Sequence, residues 1–149
     1  MPVVVLLDTN VWVSAFINPH GHPARLKDAW VDNRFQVVVS MPLLDELADV
    51  LSRPRIRDKY RLDADEIAEF LHLLAVHATR VIPTGDLQVC RDPDDDLILE
   101  TALLGHAKYL VSRDDDIKRD QDLMAQMEAH DVAVLSVQQF LERLADDEL

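Results

Sequence analysis

The sequence predicts an α/β fold, a three-layer α/β/α arrangement around a mainly parallel sheet of about five strands. Three observations carry this. Short β-rich runs alternate with helical stretches of about ten or more residues, and such spacing implies right-handed crossovers between parallel neighbours. The first run, Val3 to Leu7, is continuously apolar with three β-branched residues, as expected of a strand covered on both faces. The 149 residues are 48% hydrophobic, enough for one core without staples, so a single domain over 1–149 is expected.

The elements follow in order. Pro23 to Asn33 can form a helix, and Phe35-Gln36-Val37-Val38-Val39-Ser40 reads as a second strand. Pro42 suits the first turn of a helix running to about Ser52, which Pro54 stops. Ala64 to His77 carries apolar residues at Ile67, Phe70, Leu71, Leu74 and Ala75, a helical period. Thr79 to Ile82 is a short strand ended by Pro83. Pro93 opens a helix to roughly Leu104, with Gly105 as its C-cap. Tyr109 to Ser112 and Asp131 to Leu135 supply the remaining strands, and Val137 to Ala145 the closing helix.

Composition narrows the chemistry. The single cysteine, Cys90, excludes an intramolecular disulfide and a cysteine-based zinc site. No apolar run approaches the roughly 20 residues needed to cross a bilayer, and the start lacks the basic region of a signal peptide. A cytoplasmic protein with no membrane association is therefore expected. The three glycines form neither a P-loop nor a dinucleotide fingerprint, and the six histidines show no zinc-binding spacing. A net charge of −13 is awkward for a nucleic-acid binder, because affinity for phosphates comes largely from Lys and Arg.

The acids are the informative residues. In open α/β sheets, ligand sites form outside the carboxyl ends of the strands. Asp8 ends the first strand there, and Asp114 and Asp116 follow the strand at Tyr109–Ser112. Glu46 lies about 40° from Val50 on the next helix, at the border of its buried stripe, where it can reach over the same edge. Asp92, Asp94, Asp95 and Asp96 open a helix that is apolar nearly all round, and Asp95 falls on the side of Ile98, Leu99 and Ala102. Blander roles exist for each: Asp8 as a helix cap, Asp92 and Asp94 as a capped first turn, Glu46 as a surface acid, Asp115 and Asp116 as a solvated turn. Four acids converging on one edge need more, since clustered like charges cost free energy unless a cation neutralises them. All-oxygen ligands point to Mg²⁺ or Mn²⁺, and the fitting chemistry is metal-assisted attack of water on a phosphoester.

These residues carry a likeness. Leu7-Asp8-Thr9-Asn10-Val11 with Ser14, Ser40-x-x-Leu43-Leu44-x-Glu46-Leu47, Arg91-Asp92-Pro93-x-Asp95-Asp96 and Leu110-Val111-Ser112-Arg113-Asp114-x-Asp116 occur in this order. Together they make the chain resemble the PIN-domain nucleases, particularly the VapC-like ribonuclease toxins of toxin–antitoxin pairs. The resemblance implies that Asp8, Glu46, Asp95 and Asp114 are catalytic metal ligands, with Asp116 an accessory acid. The pattern Asp-x-x-Ile-x-x-x-Ala selects Asp95 over Asp96, an assignment that can slip by one residue. Asn10 and Ser112 look like residues that orient Asp8, while Arg113 stands where many relatives have a small residue. The resemblance further implies single-stranded RNA as substrate, one or two Mg²⁺ or Mn²⁺ ions, a homodimer and a small cognate antitoxin protein.

Five of the fifteen basic residues fall between Arg53 and Arg61, directly after the Glu46 helix. Arg53, Arg55, Arg57 and Lys59 could guide an RNA backbone, with Tyr60 available for base stacking; the competing reading is a solvated connector. Three rival functions are weighed. One is a catalytically inactive PIN-fold binding module. The second is a phosphatase with an aspartyl nucleophile, against which Asn10 occupies the place of a second Asp. The third is a response-regulator domain, against which Lys118 follows an acidic turn.

Overall fold

The computed structural model describes residues 2–149. Five strands, β1 (Val4–Leu7), β2 (Gln36–Ser40), β3 (Thr79–Val81), β4 (Tyr109–Ser112) and β5 (Ala133–Ser136), form one sheet in the order β3-β2-β1-β4-β5. Every pairing is parallel. The helices are α1 (Thr9–Ile17), α2 (His22–Val31), α3 (Met41–Ser52), α4 (Pro54–Arg57), α5 (Ala64–His77), α6 (Pro93–Leu104), α7 (Asp114–Arg119), α8 (Gln121–Ala129) and α9 (Val137–Ala145). The expected three-layer α/β/α fold is the observed one, with all five strands parallel rather than most. The short helices α4 and α7, and α8 with its modest amphipathicity, go beyond the elements expected from the sequence.

The central strands β1, β2 and β4 are mostly apolar because both faces are covered, whereas the edge strand β3, Thr79-Arg80-Val81, is largely exposed; the period of two still sorts the side chains. Val5, Leu7, Val37, Val39, Tyr109 and Val111 join one core, with Trp12, Trp30 and Phe70 packed edge-on around it. Leu6, Val38 and Leu110 point the other way, into a second core with Leu99, Ala102 and Met127 from α6 and α8. Each fully buried Leu or Met here is worth about 1.5–3 kcal/mol relative to exposure. No helix among the described residues is long and apolar enough to cross a membrane.

Gly105 does follow α6, but its φ of −85° is one any residue adopts; the left-handed residue is His106, at φ 55°. What needs glycine is the close approach of α6 to β2, since a Cβ at position 105 would overlap the Val38 side chain.

β1 lies at the centre of the sheet, so the loop after it is flanked by the carboxyl ends of β2 and β4. The strand order reverses across this point: the chain steps from β1 to β2 on one side, and later to β4 on the other. A crevice at such a switch is where α/β sheets hold ligands.

Candidate metal centre

Asp8 is fixed by continuing the strand ladder one residue beyond β1. Its N–H donates to the Val111 carbonyl at 3.0 Å, which sets its side chain beside the end of β4. There the fully buried Ser112 hydroxyl donates to Asp8 Oδ2 at 2.9 Å. Asp8 stands at the N-cap of α1; its side chain makes no well-formed capping hydrogen bond, although the N–H groups of the first turn lie close enough to favour its ionised form. Burial pushes its carboxyl above the usual range, and the nearby Asp116 pushes further; Ser112 and the N–H groups of Asn10 and Thr9 pull it down.

The acids after β4 divide. Asp114, the first residue of α7, is exposed, whereas Asp116 turns inward with its side chain only 12% accessible. Asn10 Nδ2 donates to Asp116 Oδ2 at 3.3 Å, and Arg113 Nε lies 3.7 Å from the same oxygen. The contacts joining the first turn of α7 to α1 therefore run through Asp116. Asn10, expected to orient Asp8, directs its amide to Asp116 instead.

Asp95 and Asp96 are equally inaccessible, each 9% exposed, but they do different things. Asp96 Oδ1 accepts from the N–H groups of Val89 at 2.9 Å and Cys90 at 2.7 Å, tying down the loop before α6. Those bonds hold its carboxyl below the ordinary range. Asp95 instead lies close to the carboxyl of Asp120, and it is raised to about 7 by burial first, then by Asp120, Asp92 and Asp122. Asp92 is the N-cap, its Oδ1 accepting from Asp94 N–H at 2.9 Å.

Glu46 remains on the exposed side of α3, yet the site reaches it. Partial burial, then Asp8 and Asp94, raise its carboxyl, and the charge of Arg53 lowers it. Arg53 itself is paired with Asp49 at 2.8 Å. One end of the basic segment therefore stands within electrostatic range of the acids.

Asp120 is the residue that sequence reasoning missed. Its Oδ1 accepts from Leu123 N–H at 3.2 Å, capping α8, while its carboxyl meets Asp95. An acid before a helical run signals a cap, and nothing in that pattern says that the helix start is folded against α6. Asp8, Asn10, Asp116, Arg119 and Asp120 line one cavity of about 200 Å³, floored by Ile98. Cys90 takes no part; burial and the adjacent Asp96 push its thiol up to about 12, leaving it inert at neutral pH.

Among the described residues no three acid, histidine or cysteine side chains converge closely enough to grip an ion as they stand. The donor chemistry nevertheless fits a hard divalent cation. The donors are carboxylate oxygens, and Asp8, Glu46 and Asp95 are each held above the ordinary carboxylate range by burial and by neighbouring acids. A bound cation would remove that unfavourable charge density.

The comparisons agree with this architecture. Residues 4–116 match the profile of the PIN domain. An archaeal relative, the uncharacterized protein MJ1680 of Methanocaldococcus jannaschii, is 27% identical over 141 residues, covering 94% of this chain and 90% of the relative. No solved structure matches significantly. PIN domains are in general metal-dependent nucleases. With its profile match running from β1 to the first turn of α7, the chain belongs to the PIN-domain family.

Proposed function

We propose that this chain, a single PIN-like domain over 1–149, is a Mg²⁺- or Mn²⁺-dependent endoribonuclease that cleaves single-stranded RNA. The observation that carries the reading is Asp8: a half-buried carboxylate at the switch point of the sheet, held by Ser112 and sharing a cavity with Asp116. Asp8, Asp95 and Asp116 are assigned as ligands, with Asp114 and Glu46 closing the set from the rim. A divalent ion held there supplies charge stabilisation at a phosphoryl oxygen and lowers the pKa of a bound water. Ser112 holds and aims Asp8, and Asn10 holds Asp116. Glu46, exposed and above the ordinary range, accepts the proton of the attacking water at its carboxylate.

The basic segment offsets the acidic body locally. Arg55 and Arg57 project from α4 into solvent, and Lys59 lies over the Tyr60 ring with Nζ 5.3 Å from its centroid. Arg53 marks the side of the segment that faces the acids. We assign Arg53, Arg55, Arg57 and Lys59 to the RNA backbone. The double substitution Arg55→Glu with Arg57→Glu is expected to weaken RNA binding and to flatten its dependence on salt, by about one unit of log–log slope per cation removed. Cleavage unchanged across a salt series would remove this assignment.

The motif likeness that suggests RNA also suggests the toxin of a toxin–antitoxin pair, silenced by a small antitoxin and working as a homodimer. The test of the core reading is biochemical. A labelled single-stranded RNA should be cut internally with Mn²⁺ present, remain intact in EDTA, and be cut again when Mn²⁺ is restored. RNA left intact under every metal condition would instead favour a non-catalytic binding module.

A further inference from the structure

Among the described residues, Arg113 is the one basic residue in direct contact with the inward acid. Its Nε lies 3.7 Å from Asp116 Oδ2, its Nη2 3.9 Å from Asp115 Oδ2, and its Nη1 donates to Ser14 Oγ at 3.4 Å. It thereby joins α1 to the first turn of α7 and places a positive charge beside Asp116, while Arg119 is the basic residue that lines the acid cavity itself. We infer that Arg113 is the internal counter-ion of the acid cluster, holding Asp116 in the absence of a divalent cation and raising the cation concentration at which the site fills. The inference rests on the metal-dependent reading above.

Two effects of the guanidinium oppose each other. Holding Asp116 in place favours ion binding, while its charge disfavours it. The holding is weak, because all three contacts are long, the side chain is 41% exposed, and Asn10 grips the same oxygen from the other side. The repulsion is stronger, because a unit charge one carboxylate away from a doubly charged ion acts over a short path at the protein surface. Repulsion wins, so removing the charge should tighten ion binding. Without an ion the balance inverts: Arg113 is then the positive charge in direct contact with Asp116.

The test is Mn²⁺ titration of the full chain by calorimetry at about 0.1 M salt, alongside melting with and without Mn²⁺. Arg113→Gln should bind Mn²⁺ about tenfold more tightly than wild type, a difference of about 1.4 kcal/mol. Its metal-free form should melt lower, and Mn²⁺ should raise its melting temperature by more than in wild type. Arg113→Lys, which keeps the charge, should stay within about threefold of wild type. Arg113→Ala gives a second neutral variant in case the glutamine variant folds poorly. Mn²⁺ binding to wild type with equal or weaker binding to both neutral variants overturns the counter-ion role alone, as does a lysine variant that binds as tightly as they do. No Mn²⁺ binding to any of the proteins overturns the metal-dependent reading and this inference together.

Discussion

Asp8→Asn is expected to remove RNA cleavage while raising the melting temperature of the metal-free protein by a few degrees. The two effects have one cause. Asp8 is half-buried, and its carboxyl is pushed above the ordinary range mainly by that loss of solvent and then by Asp116. A folded-state pKa above the unfolded value means that the contribution of Asp8 to stability is fully present below about pH 4 and is lost as pH rises through the folded value. At neutral pH wild type therefore carries a half-buried charge, only partly compensated by Ser112 and the neighbouring N–H groups, that asparagine lacks. The asparagine keeps an oxygen for the Ser112 hydroxyl, so the local geometry survives. The stability gain should be largest near pH 7 and should vanish toward pH 4, which a melting series across pH checks directly. Activity should fall at least about a hundredfold, since changing even an outer partner of a metal site can cost that much in affinity or rate. A variant that melts higher and still cleaves RNA at the wild-type rate would show that Asp8 is not a metal ligand.

Gly105→Ala should be the most damaging small substitution outside the site. A Cβ there would lie 2.7 Å from Val38 Cβ, closer than real side chains approach, and would overlap one of its methyl groups. Val38 is fully buried in the middle of β2, with no room to retreat, so α6 must shift away from the sheet. Overpacking of this kind costs about 1–3 kcal/mol, and at roughly 2–4 °C per kcal/mol for a domain of about this size the midpoint should drop by about 2–12 °C. Because α6 also carries Asp95 and Asp96 at its other end, activity should decline with stability. Pairing it with Val38→Ala should recover much of the loss, which distinguishes a steric cause from a requirement for glycine's flexibility. A Gly105→Ala melting point equal to wild type would refute the close-approach argument.

The two substitutions mark the boundary between what was legible in the sequence and what was not. The sheet was legible because strands covered on both faces must be apolar throughout, and Val3–Leu7 and Tyr109–Ser112 have that composition. Asp8 was legible because the rule that sites lie beyond strand carboxyl ends depends only on chain order. The orienting role of Ser112 toward Asp8 was read from likeness, and its hydroxyl does lie on that carboxylate. The choice between Asp95 and Asp96 was not legible. Both sit in one helical turn and both are equally buried; only the path of the loop at Val89 and Cys90 makes Asp96 a backbone anchor and leaves Asp95 facing Asp120.

The sequence by itself determined that the strands are parallel, that helices cover both faces, and that carboxylates gather at one edge of the sheet. Those properties follow from periodicity and order, which are local. The tertiary structure decided which acid points where. Asp116 rather than Asp114 faces Asp8 because the first turn of α7 rotates it inward against Asn10. Asp120 joins Asp95 because α8 packs on α6, a contact between segments more than twenty residues apart. Side-chain direction within a turn depends on a helix's rotation about its own axis, and that rotation is set by packing partners distant in the chain.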